Sequence, residues 1–294
     1  MDDKHLGNNF TTTIHQDTYP LIQSTKCDHR GRNVFITGAS KGIGREMALS
    51  FAKAGAANVA VAARSEFGNI RDEIEQAAKS ASRPVPNVLV LKLDVTDGRS
   101  VQHAASEFEK HCGHLDILVN NAGIVESPFQ LIGDIDPAVW WTTMDVNLRG
   151  VYLMTRAFLP LLLRGDTKII VNVGSVAQNY ITPGASAYGV SKLALARFTE
   201  FIDAEYGKQG ITAITIHPGA ILTNLGRRLP DYMAENGWMT ETEYLPADTV
   251  VFLTQQKRPW LSGRYISATW DMEELMQKED EIVQGNLLKL RMLV

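Results

Sequence analysis

A tyrosine and a lysine in the second half of the chain have the types and the spacing for proton transfer. Tyr188 and Lys192 are four residues apart in a segment whose apolar spacing predicts a helix, so their side chains share one helix face. A free tyrosine has a pKa of about 10, too high for efficient proton transfer near neutrality. The charge of Lys192 favours tyrosinate and so lowers that pKa. The pair is a candidate acid–base unit, although most such pairs simply decorate a helix surface.

A serine and an asparagine fall near the same predicted crevice. Ser175 lies 13 residues before Tyr188, at the carboxyl end of a predicted strand, and Asn147 lies within the long helix before that strand. In a parallel sheet, strand ends and the helices that follow them converge on one edge. We therefore expect Ser175 beside the Tyr188–Lys192 pair, where its hydroxyl would hydrogen-bond the reacting oxygen of a substrate.

A glycine-rich turn near the amino terminus has the composition of a phosphate-binding loop. The segment TGASKGIG, residues 37–44, joins the first predicted strand to the first predicted helix. Glycines let the backbone turn tightly and approach a ligand closely, and a helix N-terminus offers free N–H groups to a phosphate. This position in the first strand–helix unit indicates nucleotide binding. The expected contacts are Gly38, Ser40, Lys41, Gly42, Ile43 and Gly44.

The residues after the second predicted strand indicate which nucleotide binds. A dinucleotide-binding fold that prefers NAD usually places Asp or Glu there, to bind the ribose hydroxyls. This chain reads AARS, so Arg64 and Ser65 stand where that carboxylate would be. Arg64 can pair with a 2′-phosphate, and Lys41 can add a second cation. We expect NADP(H); the alternative is that both cations are ordinary solvated charges.

Alternating strands and helices must position these residues. The strands are continuous apolar runs, as expected when helices cover both faces of a parallel sheet. Right-handed crossovers then predict an α/β fold with a doubly wound parallel sheet of the Rossmann type. Strands are predicted at residues 33–37, 58–63, 87–93, 116–119, 168–173, 211–216 and 265–268. The principal helices are predicted at residues 42–55, 66–79, 100–111, 137–163 and 185–206.

No repeat or linker interrupts residues 31–268, so we predict one dinucleotide-binding catalytic domain there. Residues 1–30 form a polar arm, and residues 269–294 form a charged, helix-like tail. Residues 222–246 are expected to be a substrate lid, whose bulky side chains favour a medium-sized, largely apolar ketone or alcohol. Those side chains are Leu225, Leu229, Tyr232, Met233, Trp238, Met239, Tyr244 and Leu245.

In their order along the chain, these features resemble the single-domain type of the short-chain dehydrogenase/reductase family over about residues 31–268. The family motif TGxxxGxG matches Thr37 to Gly44, and the motif NNAG matches Asn120 to Gly123. The catalytic positions that the resemblance implies are Asn147, Ser175, Tyr188 and Lys192. The further cofactor-binding positions that it implies are Asp94, Val95, Asn121, Ala122, Gly123, Pro218, Gly219, Ile221 and Thr223.

The resemblance implies hydride transfer between NADP(H) and a carbonyl or alcohol group. Tyr188 exchanges a proton with the substrate oxygen, helped by Lys192 and by the charge of the oxidised nicotinamide. Lys192 also reaches the nicotinamide ribose, and the backbone at Asn147 holds a water that links this lysine to solvent. Three of these positions also have a purely structural interpretation. Asn121 could cap the fourth strand, Asp94 could be a turn residue, and Thr223 could cap the next helix.

The two ends of the chain depart from the family pattern. The last predicted strand runs into the sequence SATWD, residues 267–271, where the family often has a Gly-Gly pair. The amino-terminal arm is also longer than usual. Both ends resemble fungal members of the family, some of which serve specialised metabolism.

Composition excludes other classes of protein. The chain has 294 residues and a formal net charge of −4, which argues against a nucleic-acid partner. Its start lacks an apolar signal segment, and its longest apolar stretch, residues 151–163, is shorter than the about 20 residues that cross a membrane. We therefore expect a cytoplasmic protein with no membrane partner. Cys27, Cys112 and the nearby histidines lack zinc-ligand spacing, so we expect exposed positions and no metal.

Two other functions and one question of assembly stay open. An NAD-dependent alcohol dehydrogenase would share the fold, but Arg64 argues against it. A non-catalytic nucleotide-sensing protein would also share it, but should have lost the Tyr188–Lys192 pair. Residues 137–163 and 185–206 are apolar on more than one helix face, which predicts a homodimer or homotetramer unless the arm or the tail covers them.

Overall fold

Parallel strands at the centre of the molecule bring the candidate residues to one edge. The computed structural model describes residues 7–228, 235–237 and 239–292. The strands within these residues are β1 Asn33–Thr37, β2 Asn58–Ala63, β3 Asn87–Lys92, β4 Ile117–Asn120, β5 Ile169–Val173, β6 Thr212–His217 and β7 Arg264–Ser267. They form a parallel sheet in the order β3-β2-β1-β4-β5-β6-β7. The predicted doubly wound sheet is confirmed, and its order reverses between β1 and β4, where such folds bind ligands.

Helices cover both faces of this sheet. The α-helices of the described residues are α1 Gly42–Lys53, α2 Ile70–Ser80, α3 Gly98–Cys112, α4 Pro137–Met144, α5 Gly150–Arg164, α6 Ser186–Tyr206, α7 Tyr244–Thr254, α8 Met272–Gln277 and α9 Glu279–Gln284. Successive residues of β1 point to opposite faces, so Val34 and Ile36 join the apolar cluster of α1, α2 and α7. Phe35 between them joins the cluster of α3, α5 and α6.

Two of the predicted helices differ from the observed ones by more than two residues at an end or by an interruption. The helix predicted from residue 66 begins at Ile70, because Gly68 has a positive φ of 58° that a right-handed helix does not contain. The helix predicted at 137–163 is interrupted by a π-helical turn, Asp145–Arg149, between α4 and α5. The spacing of apolar residues does not show such a turn, because one π turn shifts the helical repeat only slightly. π turns often occur at functional sites, and this one contains Asn147.

The amino-terminal arm packs against the body of the molecule. Ile22, Cys27 and His29 are buried, and the first two join the apolar cluster of α1 and α7. The His29 ring contacts the backbone oxygen of Val251 in α7 through Nε2 at 2.9 Å. The expectation that Cys27 and the nearby His29 are exposed was therefore wrong. A contact between segments more than two hundred residues apart leaves no local trace in the sequence.

The carboxyl-terminal tail packs on the last strand. Trp270 and Met272 are fully buried beside β7 and α8. The backbone N–H of Tyr265 in β7 donates to the carbonyl oxygen of Leu288 at 2.9 Å. The tail therefore covers the outer edge of β7 at this point.

Candidate active site

The turn between β1 and α1 packs closely against the chain that follows β4. A Cβ on Gly44 would lie 2.3 Å from Nδ2 of Asn121 and 2.8 Å from the backbone oxygen of Gly38, so a side chain does not fit there. Gly42 has a positive φ of 59°, and the nearest neighbour of its Cβ position is the Thr223 side chain at 3.5 Å. The turn therefore keeps the N-terminus of α1 close to the end of β4, and its two glycines add no side chain there, which suits a phosphate.

Thr37 and Asn121 join this turn to the end of β4. Thr37 Oγ1 accepts hydrogen bonds from the backbone N–H groups of Asn121 and Ala122, both at 3.0 Å. Asn121 Nδ2 donates to the backbone oxygens of Thr37 and Gly38 at 2.9 and 3.3 Å. The side chain of Asn121 thus makes the structural contacts of a strand cap. Its place beside Ala122 and Gly123 also puts it on the cavity described below.

Arg64 lies at the exit of β2 and faces an acid from the exit of β3. Its Nη1 is 3.9 Å from Oδ2 of Asp94, and both side chains are exposed in part. Asp94 Oδ1 accepts hydrogen bonds from the backbone N–H and Oγ1 of Thr96, at 2.9 and 2.7 Å. Partial burial raises the pKa of Asp94, but these hydrogen bonds and the charge of Arg64 together hold that pKa below its usual value. Asp94 therefore makes the contacts of a turn residue.

Ser175, Tyr188 and Lys192 meet at the carboxyl end of β5. The Tyr188 hydroxyl is hydrogen-bonded to the side chain of Ser175. Lys192 Nζ lies 5.6 Å from the centre of the Tyr188 ring and donates to the backbone oxygen of Val173 at 2.8 Å. A strand end and one face of α6 thus bring the three side chains together, as their spacing predicts. An ammonium has three hydrogens, so contacts beyond the one with Val173 are possible.

Burial shifts the pKa values of Tyr188 and Lys192 in opposite directions. Burial lowers the pKa of Lys192 to about 8, because the charged ammonium loses its hydration. Burial also raises the pKa of Tyr188, the hydrogen bond with Ser175 lowers it in part, and the carboxylate of Glu126 raises it further. In the protein without cofactor, the net shift of the Tyr188 pKa is therefore upward, because the loss of hydration dominates.

The side chain of Asn147 joins the π turn to two other elements. It is fully buried, and its Oδ1 accepts from the backbone N–H of Ile124 at 2.9 Å. Its Nδ2 donates to the backbone oxygen of Ile124 at 2.8 Å and to Oγ of Ser191 at 3.0 Å. A Cβ on Gly123 would lie 3.3 Å from Asn147 Oδ1 and 3.6 Å from Lys192 Nζ. Asn147 therefore fixes the loop after β4 beside Lys192.

Glu126 lies just after the NNAG motif, and its contact with the N-terminus of α6 was not predicted from the sequence. It is only 2% exposed, and both carboxylate oxygens accept from the backbone N–H of Tyr188, at 3.1 and 3.0 Å. Tyr188 is the third residue of α6, so this acid lies at the helix N-terminus, where negative charge is favourable. A single acid within the apolar segment IVESPF was the one available signal.

The chain after β6 forms the opposite wall of the crevice. Gly219 has a positive φ of 100°, and its Cβ would lie 3.0 Å from Cγ of Glu241. Glu241 Oε2 accepts from the backbone N–H of Ala220 at 2.8 Å. Thr223 Oγ1 accepts from the backbone N–H of Gly226 at 3.2 Å and so caps a short 3₁₀ turn. This hydrogen bond supports the interpretation of Thr223 as a helix cap.

A cavity of about 1580 Å³ connects these parts of the site. It extends from Arg64 at the exit of β2 to Ser175 and Tyr188 at the exit of β5. Every predicted site residue lines it except Asn147, which is fully buried, and Asp94, which is partly exposed beside Arg64. Apolar side chains line it as well, and they include Ile14, Ile124, Val125, Phe129, Ile181 and Leu225.

The predicted lid at 222–246 is described only in part. Residues 229–234 and 238 lie outside the described residues, and with them the predicted lid side chains Leu229, Tyr232, Met233 and Trp238. α7 begins at Tyr244, two residues before the approximate end of the predicted lid, and Leu245 is fully buried in the core. A helix start without Ser, Thr, Asp or Asn at its N-cap is difficult to place from sequence.

Across residues 7–228, 235–237 and 239–292, none of the helices has the length and apolar composition needed to cross a membrane. Across the same part of the chain, no three side chains of His, Cys, Asp or Glu are grouped so that they could hold a metal ion.

Known proteins resemble this chain over nearly its whole length. The family profile described as short chain dehydrogenase matches residues 32–233. The short chain dehydrogenase mpl6 of Monascus purpureus is 50% identical over 288 residues, which are 98% of each chain. The short chain dehydrogenase pigC of Monascus ruber is 47% identical, over 96% of this chain and 93% of that relative. A solved short-chain type dehydrogenase/reductase from Mycobacterium marinum is 27% identical, with a TM-score of 0.71 over 84% of this chain and 97% of that chain.

Proposed function

The chain belongs to the short-chain dehydrogenase family, and we propose that it transfers a hydride between NADP(H) and a carbonyl or alcohol group of a medium-sized, largely apolar substrate. The observation that carries the proposal is the contact between the hydroxyls of Tyr188 and Ser175, beside Lys192 and in one cavity with the glycine turn. The residues fit a dinucleotide, because the turn leaves the N-terminus of α1 free and Lys192 retains donors for ribose hydroxyls. Members of this family use nicotinamide cofactors.

The roles of the three side chains follow from their chemistry. When bound, the nicotinamide ring supplies or accepts the hydride. Tyr188 gives its hydroxyl proton to the oxygen of a carbonyl, or takes one from an alcohol in the reverse direction. Ser175 donates a hydrogen bond to the same oxygen and holds it beside Tyr188. Lys192 holds the ribose, and its charge stabilises the tyrosinate that proton donation leaves.

The preference for NADP(H) rests on the exit of β2. Arg64 and Ser65 line the cavity there, and Lys41 lines it from the glycine turn. Two cations at this point attract a 2′-phosphate, whereas a carboxylate in the place of Arg64 would repel it. Arg64 already contacts Asp94 at 3.9 Å, so phosphate binding has to draw the guanidinium away or share it.

The setting of the reaction is proposed on broader grounds. The apolar lining of the cavity supports an apolar substrate. The fungal origin of the similar chains supports a role in the specialised metabolism of a fungus. A cytoplasmic location is supported by the composition of the chain, which gives no sign of a secreted protein.

We also propose that copies of the chain associate as a homodimer or homotetramer. Large apolar side chains are exposed on neighbouring helices, with Trp141 on α4, Tyr152 on α5 and Phe201 on α6. The rings of Tyr152 and Phe198 are 6.2 Å apart, so the outer faces of α5 and α6 adjoin. Such a joint apolar surface favours association.

The test of the proposed activity is a cofactor assay with a panel of apolar aldehydes and ketones. Nicotinamide absorbance is followed with NADPH and, separately, with NADH. Turnover with NADPH at a clear advantage over NADH is the expected result. A preference for NADH would support the NAD-dependent alternative, and nucleotide binding without turnover of any carbonyl would support the non-catalytic one.

A further inference from the structure

The amino-terminal arm reaches the cavity that contains Ser175 and Tyr188. Asn8, Asn9 and Ile14 line this cavity together with those two residues. Asn8 Nδ2 donates a hydrogen bond to the hydroxyl of Tyr180, which follows Ser175 in the chain. A segment that the motifs leave without any role therefore lies against the place where a substrate would react.

The arm is held there by contacts with the tail. Gly7 accepts from Nε1 of the buried Trp270 at 2.8 Å, and the ring of Phe10 lies 5.1 Å from the ring of Trp270. The backbone N–H of His15 donates to the oxygen of Thr269 at 2.7 Å. These contacts bring residues 7–15 to the end of β7 in one defined position.

The same arm is also joined to the chain that returns from the lid. The backbone N–H of Thr242 donates to the backbone oxygen of Gln16 at 2.9 Å. The Thr242 hydroxyl donates a hydrogen bond to the carboxylate of Asp17. The neighbouring Glu241 binds the backbone N–H of Ala220 in the segment after β6. The arm thus contacts both sides of the substrate part of the cavity.

We propose that Asn8, Asn9 and Ile14 of the arm form one wall of the substrate subsite, and that Asn8 and Tyr180 bind a hydroxyl group of the substrate remote from the reacting carbonyl. The inference rests on the proposed function for the identity of that carbonyl. While Tyr180 accepts from Asn8 Nδ2, its own hydroxyl hydrogen can donate and Asn8 Oδ1 can accept. A hydroxyl group both donates and accepts a hydrogen bond, so it matches one donor beside one acceptor. The apolar side chain of Ile14 suits the carbon frame that joins this hydroxyl to the reacting carbonyl.

The experiment uses two matched probes, 6-hydroxy-2-naphthaldehyde and 2-naphthaldehyde, which differ by one hydroxyl. Their dissociation constants are measured by calorimetry on the full chain with NADP⁺ present, and turnover is measured separately with NADPH. For the unaltered chain we expect tighter binding of the hydroxylated probe. Asn8→Leu and Tyr180→Phe should each weaken that probe about fivefold to tenfold and change the other less than twofold. Thr12→Val, at an exposed residue of the arm that does not line the cavity, is the control.

The outcomes separate this inference from the proposed function. Equal effects on both probes, or no effect of either variant, would overturn the inference even if both aldehydes are reduced. Loss of discrimination in both variants supports it, and the NADP⁺ dissociation constant should stay unchanged in each. If the probes bind with the expected discrimination but NADPH is never oxidised, the proposed activity fails and the subsite stands.

Discussion

At the scale of single residues, burial decides the state of the two side chains that handle protons. The pKa of Tyr188 is raised by burial and by Glu126, so its hydroxyl keeps its proton at neutral pH. The pKa of Lys192 falls to about 8, so the ammonium loses its proton at a lower pH than an ordinary lysine does. A protonated tyrosine is the form that donates to a carbonyl oxygen, which is what carbonyl reduction requires.

Tyr188→Phe removes this proton donor and keeps the ring. We expect turnover with NADPH and an apolar aldehyde to fall by about 10²-fold or more, because the variant lacks the hydroxyl assigned to protonate the oxygen. The dissociation constant of NADPH, measured by fluorescence titration, should stay nearly the same. Tyr206→Phe, on the same helix but away from the cavity, serves as the control. Undiminished turnover in the Tyr188 variant would rule out its assigned role.

Arg64→Ala tests whether this arginine binds the 2′-phosphate of NADPH. The loss of a charge-assisted hydrogen bond should weaken NADPH binding by roughly 1–3 kcal/mol, and NADH binding should barely change. Titration of both cofactors against this variant and against Arg99→Ala, an exposed arginine outside the cavity, measures the difference. Equal losses for the two cofactors would mean that Arg64 does not contact the phosphate.

At the scale of elements, the site depends on close contacts between segments far apart in sequence. Gly44 of α1 leaves room for Asn121 after β4, and Glu126 from the next loop holds the N-terminus of α6. The arm contributes in the same way, because His29 joins it to α7. Each contact fixes one element relative to another. A substitution that breaks one of these contacts therefore shifts the backbone that lines the cavity.

The burial of His29 predicts acid sensitivity of the fold. Burial lowers the pKa of His29 to about 4 from its usual 6.5, so between these values the unfolded chain binds a proton that the folded chain does not. Stability is therefore fully present above pH 6.5 and is lost as the pH falls towards 4. His217 has the same shift for the same reason and adds to the loss.

Urea unfolding at pH 7 and pH 5 measures this loss. We expect His29 alone to account for a decrease of about 1–2 kcal/mol in the free energy of unfolding between the two values. His29→Gln should lower stability at pH 7 but reduce its dependence on pH. The exposed His103→Gln is the control. An unchanged pH dependence in the His29 variant would contradict the assignment.

At the scale of the whole molecule, the carboxyl-terminal tail covers part of the sheet edge, whereas the outer surface of helices α4 to α6 stays exposed. The tail covers the outer edge of β7 through the bond between Tyr265 and Leu288, so a second copy does not reach that backbone group. The helices α4 to α6 instead leave Trp141 and Phe201 exposed, at 61% and 56%. Neither the described arm nor the described tail covers these two side chains, which favours association through the helices.

Phe201→Asp tests this association. Light scattering at micromolar concentration should give the unaltered chain a mass of two or four times 32.5 kDa, and the variant a lower mass. A charge in an apolar interface lacks a partner there, so the assembly loses affinity. Ile132→Asp, at an exposed apolar residue outside these helices, should leave the mass unchanged. A mass near 32.5 kDa for the unaltered chain would refute the oligomer.

Local patterns in the sequence determined the sheet, its strands and the places of Tyr188, Lys192 and Ser175. Side-chain periodicity and motif spacing act over a few residues, and the parallel order follows from the handedness of each crossover. Only the tertiary structure decided which distant segments complete the site. Asn8 meets Tyr180 across 172 positions, and Glu126 meets Tyr188 across 62. Such contacts depend on how whole elements pack, and burial among them also raises the pKa of Tyr188 in the protein without cofactor.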